Sequence, residues 1–436
     1  MKRDVLEQLI NWKNDKDRKP LILQGARQVG KTWVLKELGK KYYDNFVYIN
    51  FDNDEIAEEI FKDGLYPEKI VYNIEVLKNI RIEKEKTLII FDEIQESDKG
   101  LRSLKYFDED AKEYHVVSAG SFLGVKLHQG SSFPVGKVSF MNMYPMSFLE
   151  YLNARGLEKY VEIIQKEEYN SFSIIDRELK RLLKEYFIIG GMPEVVKNYI
   201  TNGNFEKVKA VQKRLYESYI NDFAKHAPVS IVPKIIKIFE SIPYQLSNER
   251  KKFTYKEIDI TARETTFGDA LNWLENTGLI ILVKRVSKIG VPLKFYFEDK
   301  FFKAFMLDVG LLSYFLNVEP AKILEDEFIF VEFKGALVEQ YVIQQIYSND
   351  DDIGYWKNDK SSTEVDFVYD YKNNIIPIEV KSGKNLKAKS LKSYMDKYNP
   401  VLAIRSSLVE YNDNNGLVDL PLYAISNLEK VAKRKI

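Results

Sequence analysis

The chain has 436 residues, 45% of them apolar and 30% charged, which suits roughly two to four domains, each with its own core. Its 65 basic and 65 acidic residues cancel, which excludes a global field drawing the molecule to nucleic acid or anionic lipid and leaves any such contact to a local patch. The absence of cysteine excludes disulfides and thiolate metal sites and makes a reducing cytoplasm the expected setting.

Met1 to Trp12 reads as an amphipathic helix, and no apolar run approaches the roughly 18 residues of a membrane span. A soluble intracellular protein with no membrane partner is expected. The three histidines, His115, His128 and His226, are scattered and suggest no metal site.

The apolar run Pro20 to Gln24 leads into Gly25-Ala26-Arg27-Gln28-Val29-Gly30-Lys31-Thr32, and a helix-like run from Trp33 to Leu38 follows. Strand, loop and helix in that order form a phosphate cradle. Gly25 and Gly30 let the backbone turn its N–H groups inward, and the helix N-terminus adds partial positive charge. Lys31 brings a full charge to the β- and γ-phosphates, and the Thr32 hydroxyl is placed for Mg²⁺. The expected ligands are ATP and Mg²⁺, contacted by Gly25 through Thr32 and by Trp33.

Four more apolar runs follow, at 46–51, 88–91, 115–119 and 138–140, separated by polar or helical segments as in a parallel sheet buried on both faces. The run at 88–91 ends in Asp92-Glu93. Asp92 would hold Mg²⁺ through its water shell, and Glu93 would orient and deprotonate the water that attacks the γ-phosphate. Ser121, after the run at 115–119, could read the γ-phosphate or the attacking water, or could be a solvated strand-end serine.

The loop, the Phe91-Asp92-Glu93-Ile94-Gln95 strand end and the stretch Tyr144-Pro145-Met146-Ser147-Phe148-Leu149-Glu150-Tyr151-Leu152 resemble the AAA+ superfamily. Within it they are most similar to the bacterial and archaeal ATPases that carry a C-terminal domain of unknown function of the DUF4143 type. That resemblance implies a P-loop parallel sheet of AAA+ (ASCE) type. It also implies arginine after glycine where this chain has Lys137, and lysine lacks the fork that clamps two oxygens. Arg27, Arg102 or a neighbouring subunit of a homo-oligomer would then supply the arginine.

From Glu158 to Lys225 the pattern is helical, broken at Gly190-Gly191-Met192-Pro193-Glu194, a turn that also fits the family. It is read either as part of a lid that moves with nucleotide or as a structural turn. Between Phe253 and Phe297, two helices precede a hairpin of 279–286 with 292–297, the winged-helix order. The second helix offers Arg263, Asn272 and Glu275 rather than a basic stripe, which favours protein packing over groove reading. The wing lysines and arginine, Lys284, Arg285, Lys288 and Lys294, are better placed for phosphate.

In the last hundred residues a helix carries Glu339, a strand carries Glu364 and Asp366 on one face, and a partner strand carries Glu379 and Lys381 on one face. Two carboxylates can hold Mg²⁺ while the lysine orients or deprotonates a water for attack on a phosphodiester, and a solvated hairpin would show the same spacing. The order Glu339, Asp366, Glu379-Val380-Lys381 resembles the PD-(D/E)xK nuclease superfamily, with Val365 in place of its proline. The resemblance implies catalytic Asp366, Glu379 and Lys381, with Glu339, Asp366 and Glu379 holding a second Mg²⁺ or Mn²⁺. Lys384, Lys387, Lys389 and Lys392 follow as a phosphate track or as a solvated helix face.

The expected architecture is α/β: an ATPase core over 1–155, a helical lid over 156–235, a winged-helix domain over 236–320 and a nuclease-like domain over 325–436. Its expected function is an AAA+ ATPase whose nucleotide state controls a nuclease-like domain acting on or binding DNA. The alternative is a nucleotide-dependent switch, or a DNA-binding regulator, whose nuclease-like domain is inactive and binds a partner.

Overall fold

Helix α1 (Val5–Asn14) buries Val5, Leu9 and Trp12 on one stripe, as its spacing predicts. Strand β1 (Leu21–Gln24) feeds the glycine loop and then helix α2 (Lys31–Tyr42). There follow β2 (Asn45–Asn50), α3 (Pro67–Lys78), β3 (Thr87–Asp92), α4 (Asp98–Asp110), β4 (His115–Gly120) and β5 (Ser139–Asn142). The structure, a computed structural model, describes residues 1–54, 56–120, 134, 136–248, 251–324, 331–347, 352–358, 363–383 and 389–436, with the backbone alone at 331–333. Ser121, His128, Lys384 and Lys387 lie outside the described residues.

The five strands pair in parallel in the order β2-β3-β4-β1-β5. Every residue of β3 and β4 is buried, so their sequences are runs of apolar character rather than alternations. Ile49, Ile70, Ile74, Ile89, Phe91, Leu104 and Phe107 all have zero exposure in the core beneath them, and each contributes roughly 1.5–3 kcal/mol by leaving water. In sheet order β4 stands between the strand that enters the loop and the strand that ends at Asp92. All three therefore end at the same edge, where open α/β sheets bind ligands.

Contacts divide the chain into two compact units, Met1–Tyr144 with Asn276–Gly278, and Pro145–Glu275 with Leu279–Ile436. Ser147 explains why the division precedes residue 155. It caps the helix Phe148–Ala154, with Glu150 N donating to its Oγ at 3.1 Å and Ser147 N donating back to Glu150 Oε2 at 2.9 Å. The next residue, Phe148, donates its N–H to Gln345 Oε1 in the second unit at 2.8 Å.

The second unit holds the helices from Phe148 onward and a mixed sheet of eight strands. These are β6 (Ile280–Val286), β7 (Phe297–Met306), β8 (Ile353–Lys357), β9 (Glu364–Tyr371), β10 (Asn374–Val380), β11 (Ala403–Ser407), β12 (Asn412–Asn414) and β13 (Leu417–Pro421), ordered β12-β13-β11-β10-β9-β8-β6-β7. Strand β6 pairs antiparallel with β7 and parallel with β8, so the hairpin expected as a wing forms one edge of the sheet that carries the C-terminal acids. Its second arm starts at Phe297 instead of Pro292. Proline has no N–H for the ladder, and Leu293–Tyr296 form a 3₁₀ turn.

The Gly190-Gly191 turn is locked onto Asp308. Gly191 N donates to Asp308 Oδ2 at 2.6 Å, and a Cβ on Gly190, whose φ is +75°, would lie 2.1 Å from Asp308 Oδ1. Gly310 N, Leu311 N and Gln344 Nε2 also donate to this carboxylate, at 3.0, 3.2 and 3.1 Å. Burial nevertheless outweighs these donors and pushes Asp308 up to about 6 from 3.8. A raised folded-state pKa means that the folded state holds the extra proton between about pH 4 and 6, so this residue's contribution to stability falls as pH rises through that window. Urea unfolding at several pH values should show the stability difference between wild type and Asp308→Asn shrinking from pH 4 to pH 6 by up to roughly 3 kcal/mol. A difference that stays flat with pH would mean that the carboxylate is ionised throughout.

Candidate functional site

The glycine loop is shaped by close approach. A Cβ on Gly25 would lie 2.2 Å from the Met143 carbonyl oxygen, so no larger residue fits there. Gly30 takes a left-handed φ of 100° at the N-cap of α2, and Gln28 is also left-handed at 66°. Left-handed turns of this kind at the start of a helix are the backbone geometry in which successive N–H groups can bind anionic oxygens. Val29 is fully buried beneath the loop, and its carbonyl accepts a 2.6 Å bond from Arg3 Nη1. Trp33 is exposed on α2.

Lys31 is only 7% exposed, and its Nζ donates to Gly25 O and Ala26 O, both at 2.8 Å. Burial lowers its pKa to about 8, against the pull of Glu93 and Asp92 in the other direction. Thr32 Oγ1 donates to Asp92 Oδ2 at 2.7 Å, which brings together the hydroxyl and carboxylate expected to share Mg²⁺. Tyr48 donates its hydroxyl to the same Asp92 oxygen at 2.7 Å, and Lys36 lies 3.5 Å above the Tyr48 ring. Glu93 sits in a left-handed bend at the end of β3, its N–H on Asp92 Oδ1 at 3.1 Å and its Oε2 accepting from Gln95 Nε2 at 2.6 Å. A carboxylate oriented in this way beside a phosphate cradle can align a water.

Sequence reasoning did not single out Arg3 or Tyr48. Arg3 gave no sign, since a basic residue before an amphipathic helix is ordinary. Tyr48 gave a faint one, because Tyr48 and Asn50 share a face of the strand that pairs with β3. Lys137 is engaged by α4, with Nζ 2.9 Å from Glu109 Oε1 and 3.7 Å from Asp108 Oδ2.

In the second unit, Glu339 lies on the helix Val331–Ile346, Glu364 and Asp366 on β9, Glu379 on β10 and Lys381 just beyond it. Lysines hold this group. Lys303, 1% exposed on β7, lies 2.8 Å from Glu364 Oε1 and 3.5 Å from Glu339 Oε2. Lys251 donates to Glu339 Oε1, Lys357 lies 3.4 Å from Glu364 Oε2, and Lys381 lies 2.5 Å from Glu379 Oε1. Val380 N donates to Asp366 Oδ2 at 2.8 Å.

Burial pulls the Lys303 ammonium down, but Glu339, Glu364 and Asp366 together outweigh it and hold it above its ordinary value. Glu339, also buried, is held low by Lys251 and Lys303. Burial and the charges of Glu339 and Glu379 push Asp366 well up, and burial likewise raises Glu379 against the pull of Lys381. Ammonium groups therefore neutralise these acids, and among the described residues no group of three or more is disposed to hold a metal ion. Lys251 and Lys303 were absent from the sequence reading because they lie far upstream of the acids they touch.

The wing cations are similarly engaged: Lys284 with Asp299 at 2.7 Å, Arg285 with Glu298 at 2.5 Å and Lys294 with Asp352 at 2.6 Å. Phe267, Leu271, Trp273 and Leu274 are buried on the helix Glu264–Asn276, whose sequence favoured packing. Lys389 and Lys392 lie on the helix Lys389–Tyr398. No helix among the described residues is long and apolar enough to cross a membrane.

Residues 17–152 match the family model described as an AAA domain, and residues 180–322 and 334–423 match two domains of unknown function, DUF8612 and DUF4143. An uncharacterized protein of Methanocaldococcus jannaschii is 21% identical over 405 residues, covering 90% of this chain and 82% of that protein. One from Haemophilus influenzae is 24% identical over 402 residues, covering 87% and 86%. A Walker-type ATPase of Pyrococcus abyssi is 14% identical, with a TM-score of 0.45, over 72% of this chain and 95% of that one. One chain thus carries a match to an AAA domain and, after it, a match to the DUF4143 domain.

Proposed function

We propose, from the premise of a P-loop AAA domain, that the protein binds and hydrolyses Mg²⁺-ATP and that its nucleotide state controls the C-terminal domain. The observation that carries the first half is the junction of loop and acidic strand: Lys31 on the loop carbonyls, Thr32 on Asp92 at 2.7 Å and Glu93 beside them. In this reading the N–H groups of Gly25 to Gly30 and the Lys31 ammonium bind the β- and γ-phosphates, with Thr32 and Asp92 holding the metal ion. Bound Mg²⁺ neutralises charge that develops on the phosphates. Tyr48 keeps the Asp92 carboxylate turned toward Thr32. Glu93 takes the proton of the attacking water, and Gln95 steadies its other oxygen.

For the C-terminal domain the reading is a nuclease-like site in which Lys381 sits on Glu379 beside Asp366. A second reading, a switch whose C-terminal domain binds a partner and does not cut, is favoured by the lysines already bonded to Glu339 and Glu364. One preparation separates them. Glu93→Gln should keep nucleotide binding while the ATPase rate falls by roughly 10²–10⁴, the usual worth of a general base. Unchanged turnover in that variant would remove Glu93 from its role. Plasmid incubated with Mg²⁺ or Mn²⁺, with and without ATP, should be cut by the wild type and spared by Lys381→Ala. Intact plasmid throughout would leave the switch.

A further inference from the structure

Arg3 is 5% exposed, and its guanidinium joins two parts of the first unit that are far apart in sequence. Nη1 donates to the Val29 carbonyl in the glycine loop at 2.6 Å, and Nη2 donates to the Tyr144 carbonyl at 2.6 Å. The backbone around Arg3 is held as well. Leu6 N donates to Arg3 O at 3.1 Å as α1 begins, and further along α1 Trp12 Nε1 donates to Lys19 O at 2.7 Å, just before β1. One charged fork is thus fixed between the loop and the last residue of the unit.

The bond to Val29 fixes more than one oxygen. In a planar trans peptide the C=O and N–H point in opposite directions, so holding the Val29 oxygen turns the Gly30 N–H away from Arg3. Among the described residues nothing accepts that N–H. Gly30 offers little resistance to rotation of the plane, since a glycine at a φ of 100° has no Cβ to restrain it. The restraint comes from Arg3, and a cation on the carbonyl also polarises the peptide and strengthens the N–H as a donor.

The loop meets the same exit strand at its base. Met143 N donates to Gln24 O at 2.8 Å, Gln24 Nε2 donates to Asn142 Oδ1 at 2.8 Å, and the Met143 oxygen fills the space that a Cβ on Gly25 would need. Beyond Tyr144 the chain enters the second unit at Pro145. There Met146 N donates to Gly191 O at 2.7 Å, and Met146 O accepts from the Tyr186 hydroxyl. The residues on either side of the Tyr144–Pro145 bond are therefore anchored, each within its own unit.

We propose that Arg3 is a positioning residue of the nucleotide site: it presents the Gly30 N–H to the phosphates and, through the same guanidinium, makes Tyr144 follow the loop. The inference rests on the reading of the loop as a polyphosphate site. Phosphate oxygens that draw on the Gly30 N–H move a plane whose other end is bonded to Arg3, and the fork passes that movement to the Tyr144 carbonyl. Pro145 and Met146 are next along the chain. Arginine suits the task because the single ammonium of lysine has no planar fork with which to hold two carbonyls at once.

The test compares full-length wild type with Arg3→Met and Arg3→Lys, using Mg²⁺ and a slowly hydrolysed ATP analogue. Arg3→Met should bind the analogue roughly tenfold more weakly, the scale of one lost charge-assisted hydrogen bond. Hydrogen exchange at saturating analogue, where occupancy is equal, reads the link to Tyr144. In the wild type the analogue should slow exchange in residues 24–35 and also in 143–152. In both variants the slowing at 24–35 should survive and the slowing at 143–152 should be lost. A role in folding alone would lower the melting temperature and leave that response to nucleotide intact, and Arg3→Lys, which keeps the charge, carries the test where Arg3→Met does not fold. Unchanged affinity in Arg3→Met, or an equal response at 143–152 in wild type and variants, would overturn the assignment. A wild type that binds the analogue with no change at 143–152 would overturn it too, and a wild type that binds no nucleotide would remove the reading of the loop along with it.

Discussion

Replacing Lys31 by alanine should abolish nucleotide binding and ATP hydrolysis together. The ammonium is nearly buried and already bent over the loop by bonds to the Gly25 and Ala26 carbonyls, so it meets the phosphates without first being ordered. Charge-assisted hydrogen bonds contribute roughly 1.5–3 kcal/mol each, and Lys31 can make more than one to a polyphosphate. Affinity for a fluorescent nucleotide should therefore weaken by about a hundredfold or more, and turnover should drop below detection. The lysine's lowered pKa adds a dependence on pH. Above about pH 8 the free protein has lost the ammonium, so binding must take up a proton and wild-type affinity should fall between pH 7 and 9. An ATPase rate in Lys31→Ala equal to that of the wild type would end the nucleotide assignment.

Replacing Lys303 by methionine should cost the second unit roughly 3–5 kcal/mol, the usual penalty for stripping one partner from a buried ion pair. Methionine fills similar volume but leaves Glu364 with Lys357 alone and Glu339 with Lys251 alone, both carboxylates being largely withdrawn from water. Lys284→Gln is the control, because its partner Asp299 is 84% exposed and such pairs contribute little. Denaturant unfolding should show Lys303→Met far below Lys284→Gln, and restoration of stability at low pH, where the acids are neutral, would locate the cause in charge. Equal midpoints for the two variants would mean that Lys303 is not the group holding the acids.

What the residues disclosed beforehand follows the range over which each signal acts. The glycine loop, β1 and α2 are local in sequence, and the apolar runs of β3 and β4 announce strands buried on both faces, so the parallel sheet was legible. Asp92 and Glu93 could be paired with the loop because strand ends in such a sheet share one edge. Arg3 and Tyr48 act through long-range hydrogen bonds that no periodicity encodes. The acids at 339, 366 and 379 were visible as a spacing, but the lysines that pair with Glu339 sit at 251 and 303, the second of them carried on β7, which β6 links to β8. Alternation within 279–286 signalled a hairpin and could not say which sheet it would join.

That pairing makes a boundary at residue 325 a covalent convenience and not a physical one. A fragment starting there would present the β6-facing margin of β8 as a bare ladder of N–H and C=O groups, open to recruitment by another copy. It would also part Glu339 from Lys251 and both Glu339 and Glu364 from Lys303. The portion matched at 334–423 is thus an incomplete electrostatic object, and whatever acts through Glu339 inherits its charge balance from chain made long before it.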